Sequence, residues 1–153
     1  YNQDKNLHPV IIKDIKNIFK KGDFILGEHV NKFENKFSNF CGSKFSLGCA
    51  NGTDALTIAL KALNLKKNSE VIIPSMTYCS TAFSIINANL KPVLVDVDFM
   101  KPTINIDRII QKINKKTKVI MPVHLYGSVV DIKKIKTYEK DRIFVQKNLD
   151  LYV

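Results

Sequence analysis

The chain has no tryptophan, three cysteines and, among 24 basic residues, only Arg108 and Arg142 as arginines. Each shortage excludes something. Cys41, Cys49 and Cys79 are odd in number and show no CxxC spacing, so neither a disulfide framework nor a zinc site is expected. That usage fits a reducing, cytoplasmic setting. His8, His29 and His124 lie too far apart to form a local metal site, and no metal is expected. The net charge of +10 invites a nucleic-acid reading. It rests almost wholly on lysines scattered through Asn- and Ile-rich surroundings, whereas readers of bases and phosphates favour arginine forks. No nucleic-acid partner is expected.

No apolar run reaches the ~18 residues that suggest a membrane span, so no membrane partner is expected either. Residues 1–9 lack the charged-then-apolar pattern of a signal peptide. Asn51-Gly52-Thr53 matches a glycosylation sequon, which without a secretion signal reads as accidental. No repeat, low-complexity tract or long linker is visible. What remains is an ordinary globular composition, 45% hydrophobic and 25% charged over 153 residues, long enough to bury a core.

Apolar spacing predicts amphipathic helices over residues 9–19 and 30–40. The second carries Val30, Phe33, Phe37 and Phe40 as a core-packing stripe and stops at Gly42. Strand and helix signals then alternate. Residues 45–50 read as a short buried strand. A helix follows over 53–63, with Ala55, Leu56, Ala59, Leu60 and Leu63 inward. Val71 to Ile73 form a strand stopped by Pro74, and a helix over 81–89 turns Ala82, Ile85 and Ile86 inward. Next come a strand over 92–97, a helix over 106–113, a strand over 119–123, a helix over 130–138 and a strand over 143–145. This alternation argues an α/β domain with a mostly parallel sheet covered by helices on both faces. The expected organisation is an N-terminal helical arm over residues 1–42, the α/β domain over 43–145 and a divergent or truncated tail over 146–153.

Ligands of such sheets gather beyond the carboxyl ends of the strands. Four segments fall there: residues 51–54, 74–78, 96–98 and 124–127. Within Ala50-Asn51-Gly52-Thr53-Asp54-Ala55-Leu56, Gly52 permits close approach to the backbone at a helix start. The Thr53 hydroxyl and the N–H groups of Thr53 and Asp54 can hold phosphate oxygens. The same residues also suit a plain N-cap on Asn51 or Thr53. No adjacent Lys makes it a Walker loop, and no GxGxxG is present. Tyr78, near the end of a strand, suits stacking on a flat ring, or packing, or capping. Asp96 and Asp98 point one way if their strand persists, without His or Glu partners for a metal. His124 is an acid–base candidate or a hydrogen-bonded structural residue.

Taken in order, GDFILGEHVNKFENKF, ANGTDALTIALKALNL, VIIPSMTYCSTAFSIINANLKPVLVDVD, INID and TKVIMPVHLYGSVVDIKKI resemble the DegT/DnrJ/EryC1/StrS sugar aminotransferases over about residues 8–138. The resemblance implies part of the large domain of the aspartate-aminotransferase-like PLP-transferase fold, type I, with pyridoxal 5'-phosphate (PLP) as cofactor. It implies amino transfer from a donor such as glutamate to a keto sugar on a nucleotide, in polysaccharide biosynthesis, by a homodimer. Carried over by position, Gly52, Thr53 and Asp54 match the cofactor-phosphate loop and Tyr78 matches the residue stacked on the pyridine ring.

The chain departs from the pattern in its tail. Where the family has an Asp that pairs with the ring nitrogen, in a segment like IEDAAQ, this chain reads IFVQKN over residues 143–148. The family's Schiff-base Lys falls further on than Val153. The expectation is an N-terminal, catalytically inactive piece. An alternative makes Lys147-Asn148-Leu149 a remnant drawn close by an internal deletion. Two further alternatives are a non-catalytic partner-binding domain and a PLP-dependent sugar dehydratase relative.

Overall fold

The structure, a computed structural model, describes Lys5 and residues 7–137. The strand expected over 143–145, the 146–153 tail and the Lys147 alternative lie outside the described residues. The chain divides into two compact units, Tyr1–Gly48 and Cys49–Val153.

The first unit holds α1 (His8–Lys21) and α2 (Glu28–Cys41). Pro9 stands in the first turn of α1, where its missing N–H has no helical partner to lose. Both helices end on a left-handed glycine, Gly22 at φ 68° and Gly42 at φ 65°. At the second stop, Gly42 N–H donates to the Asn39 carbonyl (3.2 Å) and Ser43 N–H to that of Ser38 (2.9 Å). Asp23 Oδ2 accepts from Glu28 N–H at 3.1 Å and starts α2. Glu34 Oε1 accepts from Gly48 N–H at 2.7 Å.

The phenylalanines of α2 are not core residues of this unit. Phe33 and Phe40 are exposed, and the rings run along the helix with centroids 5.5 Å apart for Phe33–Phe37 and 6.4 Å for Phe37–Phe40. No residue of α1 is buried. An amphipathic stripe needs an opposing layer, and this unit contains no strand among the described residues. The expected strand over 45–50 is also absent, with Phe45 and Leu47 both exposed.

The second unit holds three parallel strands, β1 (Glu70–Pro74), β2 (Lys91–Val95) and β3 (Thr117–Ile120), in the order β2-β1-β3. With them come α3 (Gly52–Ala62), α4 (Ser80–Asn87), α5 (Ile106–Lys112) and α6 (Ile132–Thr137). Central β1 is buried along its whole length. Its alternation feeds two cores. Ile72 packs with Val95, Ile104, Ile109, Ile120, Val130 and Ile135 on the face covered by α5 and α6. Val71 and Ile73 pack with Leu60, Ile85, Leu90 and Val119 on the face covered by α3 and α4. β2 lies at the edge, and its Leu94 is 57% exposed, so the burial expected of that strand is met only in part.

The α3 stripe falls as expected, with Leu60 buried and Ala55, Leu56, Ala59 and Leu63 half-buried. In α4, Ile85 is buried but Ile86 points outward at 54% exposure. Thr81 and Ser84 take the inward places instead. They can do so because their hydroxyls are satisfied locally. Ser84 Oγ donates to the Thr81 carbonyl at 2.9 Å, and the Thr81 and Thr77 hydroxyls lie 2.9 Å apart.

At the amino ends of the strands a single carboxylate joins all three. Glu70 opens β1 and is 6% exposed. Its Oε2 accepts from Asn114 Nδ2 (2.7 Å), just before β3, and its Oε1 from Lys91 Nζ (3.2 Å), the first residue of β2. The Asn114 hydrogen bond, with further help from Lys91 and Lys116, outweighs desolvation and holds the Glu70 carboxyl below the ordinary range. A depressed folded-state pKa stabilises the fold above the unfolded value and loses that contribution as pH falls through the folded one. Glu70→Ala is therefore expected to lower the unfolding free energy by about 2 kcal/mol at neutral pH. The difference from wild type should shrink once pH drops below about 4. Urea melts at the two pH values measure it, and a pH-independent difference would refute the ion-linked role.

Candidate functional site

The chain path itself selects one end of the sheet. The crossover from β1 to β2 runs through α4 on one face, and that from β2 to β3 through α5 on the other. The loop leaving β1 therefore turns to the α4 face, while the loop leaving neighbouring β3 turns to the α6 face. Loops that part this way open a crevice beyond the carboxyl ends of β1 and β3. Tyr78 lies on the first loop and His124 on the second.

Helix α3 returns to the amino end of β1 through residues 63–69, so its own start lies at the carboxyl end of the sheet. Its 11 residues span roughly 16 Å, close to the length of five-residue β1. Helix α4 begins at that end too, and α3 and α4 pack together. The topology thus brings Gly52, Thr53 and Asp54 to the same end and face as Tyr78. Their placement follows from the short α3–β1 and β1–α4 connections.

Asn51 is the N-cap of α3, in extended conformation, and its carbonyl accepts the first helical bond from Ala55 N–H at 3.0 Å. Its side chain engages Asp54 twice. Oδ1 accepts from Asp54 N–H at 2.9 Å, and Nδ2 donates to Asp54 Oδ2 at 2.9 Å. The Asp54 N–H, a candidate phosphate donor from the sequence, is therefore already engaged. The Gly52 and Thr53 N–H groups and the Thr53 hydroxyl donate to no protein group among the described residues. The Thr53 carbonyl accepts from Thr57 Oγ1 at 2.8 Å, which anchors the first turn. The cap thus engages Asp54, which braces Asn51, while the half-buried Gly52 and Thr53 keep their donors uncommitted at the positive end of the helix dipole.

Tyr78 is 75% exposed. Its carbonyl accepts from Thr81 N–H at 3.0 Å, which fixes the backbone at the start of α4 and leaves the ring free. His124 takes the structural course: Nδ1 accepts from Val130 N–H at 3.0 Å, so the proton of the neutral ring sits on Nε2. Beside it, Tyr126 (φ 49°) and Gly127 (φ 77°) form a tight two-residue turn closed by the Leu125–Ser128 bridge. Asp96 and Asp98 do not act together, because β2 ends at Val95. Asp96 pairs with Arg108, and Asp98 Oδ1 accepts from Met100 N–H at 3.0 Å. A shallow polar cleft of about 480 Å³ lies there, lined by Leu94, Asp96, Arg108 and Lys112, away from Tyr78 and α3.

Sequence reasoning missed Glu70 and the Asp96–Arg108 pair. The available signal was an acid opening an otherwise apolar strand, with a Lys opening the next.

Comparison with known proteins bears on this geometry. The model of the DegT/DnrJ/EryC1/StrS aminotransferase family matches residues 6–145. The chain is 42% identical over 125 residues to the dTDP-3-amino-3,6-dideoxy-alpha-D-galactopyranose transaminase of Aneurinibacillus thermoaerophilus, covering 80% of this chain and 34% of that one. Among solved structures it resembles NtdA of Bacillus subtilis with bound cofactor PMP, at TM-score 0.80 and 30% identity over 84% of this chain and 29% of that one. It also resembles the Escherichia coli GDP-4-keto-6-deoxy-D-mannose-3-dehydratase with bound hydrated PLP. There the TM-score is 0.79 and the identity 26%, over 88% of this chain and 36% of that one. The chain spans about a third of the length of the curated relatives it matches. Its α/β frame with a parallel sheet is part of the PLP-transferase large domain expected from the sequence. With residues 6–145 matched by its model, the chain belongs to the DegT/DnrJ/EryC1/StrS aminotransferase family.

Proposed function

We propose that this chain supplies the cofactor-holding part of a PLP-dependent aminotransferase acting on a nucleotide-linked keto sugar. One observation carries the reading: uncommitted N–H groups at the start of α3 share an end and a face of the sheet with the exposed ring of Tyr78. The donors fit a phosphate. Gly52 and Thr53 offer two N–H groups and a hydroxyl to an anion, and no Cβ at Gly52 obstructs its approach. Tyr78 offers a flat platform to the ring. Asp54 braces the cap, its carboxylate held by Asn51 Nδ2. When bound, PLP supplies the electron sink for amino transfer. This chain's residues bind its phosphate, orient its ring and, through the α3 dipole, offset its negative charge.

The wider reading is a cytoplasmic homodimer that takes an amino donor such as glutamate and a nucleotide sugar destined for polysaccharide. Cysteines that are all free accord with the compartment. Among the described residues, no helix is long and apolar enough to cross a membrane. No residue of this chain is assigned the Schiff-base Lys, so these 153 residues alone are expected to hold the cofactor without amino transfer. A dehydratase role is the second reading, favoured by the likeness to the Escherichia coli dehydratase.

Equilibrium dialysis tests the site. PLP is expected to bind about tenfold or more tightly than pyridoxal, which lacks the phosphate. Inorganic phosphate is expected to compete. Equal affinity for the two compounds would sink the reading.

A further inference from the structure

Asn51 is followed by Gly52, and this is the one Asn-Gly pair in a chain with 14 asparagines. The geometry points to Asn51 as a site of spontaneous deamidation, a chemical change that alters the start of α3. In that reaction the Gly52 backbone nitrogen attacks the Asn51 side-chain carbonyl carbon and ammonia leaves. Water then opens the resulting five-membered imide to aspartyl or isoaspartyl. Glycine at the following position makes the attack easiest, because it puts no Cβ beside the attacking nitrogen. Asn51 is exposed to water. The Gly52 N–H donates to no protein group among the described residues, so no hydrogen bond must break to release the nucleophile.

What restrains the reaction is the cap. Asn51 sits at ψ 173°, out of line for ring closure, with its amide held at both ends by Asp54. Ring closure must wait for the first turn to open, and helix ends open at small cost. Deamidation removes the Nδ2–H that now meets the Asp54 carboxylate at 2.9 Å and puts a second carboxylate in its place. An aspartyl product keeps the capping oxygen but faces a like charge. An isoaspartyl product inserts an extra backbone carbon at the first turn. Either adds negative charge where the phosphate is proposed to bind, so the predicted loss of cofactor affinity rests on that reading.

The test is incubation of the full chain at mildly alkaline pH, followed by peptide mapping for mass gain and isoaspartate at every asparagine. Asn51 is expected to convert ahead of Asn68, which is followed by Ser69, and Gly52→Ala is expected to slow it. Conversion at Asn68 with Asn51 intact would overturn the proposal. Separately, Asn51→Asp is expected to weaken PLP binding about tenfold. Unchanged binding in Asn51→Asp, with weakened binding in Thr53→Val, would overturn the functional consequence alone. Unchanged binding in both variants would count against the phosphate site itself, leaving the mapping result to judge the chemistry.

Discussion

Ile72→Ala is expected to lower the unfolding free energy by about 4 kcal/mol. Ile72 has no exposed surface and lies in the middle strand of the sheet. It belongs to a buried cluster drawn from β2, β3, α5 and α6, together with Val130 and Ile104 from the connecting loops. No single neighbour can relax into the space without leaving the others, so the cavity persists. A loss of that size is a large share of the stability of a domain, about 5–15 kcal/mol. Leu94→Ala, on the exposed edge strand, is the control and should cost less than about 1 kcal/mol. Urea unfolding of both variants decides the matter. Similar losses would mean that β1 is not the centre of the core.

Thr53→Val should leave the fold nearly unchanged and weaken PLP binding by about ten- to a hundredfold. The substitution keeps the β-branched shape and removes only the hydroxyl. The first turn does not need that hydroxyl, because the cap is Asn51 and the anchor is the Thr53 carbonyl, which accepts from Thr57. A phosphate bound as proposed would need it, since a hydrogen bond to an anion at a helix start is charge-assisted. Dialysis against PLP, with a thermal melt of the same sample, separates the two roles. A large drop in melting temperature with unchanged PLP affinity would reassign Thr53 to capping.

The parts of this molecule that could be read from the sequence are those fixed by neighbours a few residues away. Gly42 ends α2 because a left-handed stop favours glycine. The run Val71-Ile72-Ile73 is a central strand because three consecutive β-branched residues fit burial on both faces. Elsewhere polarity misleads. Thr81 and Ser84 are buried in α4 in place of Ile86, because each finds its hydrogen bond within one turn. Phe45 and Leu47 look like a strand by composition, but pairing is decided by distant segments, and among the described residues β1 pairs with β2 and β3. Glu70 was hidden for the same reason, with partners 21 and 44 residues further along the chain. At the site, the sequence could nominate Gly52, Thr53, Asp54 and Tyr78. Only the hydrogen bonds divided them into a brace, Asp54, and uncommitted donors, Gly52 and Thr53.

The two ends of the sheet also differ in how freely they can change. At the amino end, Glu70 binds three strands through side chains, so a substitution there disturbs all three together. At the carboxyl end the ties are mostly short and internal to a loop or to the helix it enters, as between His124 and Val130 or Thr77 and Thr81. A change in one of those loops leaves the others standing. Descendants of such a frame can try new ligands one loop at a time, without risking the scaffold that presents them.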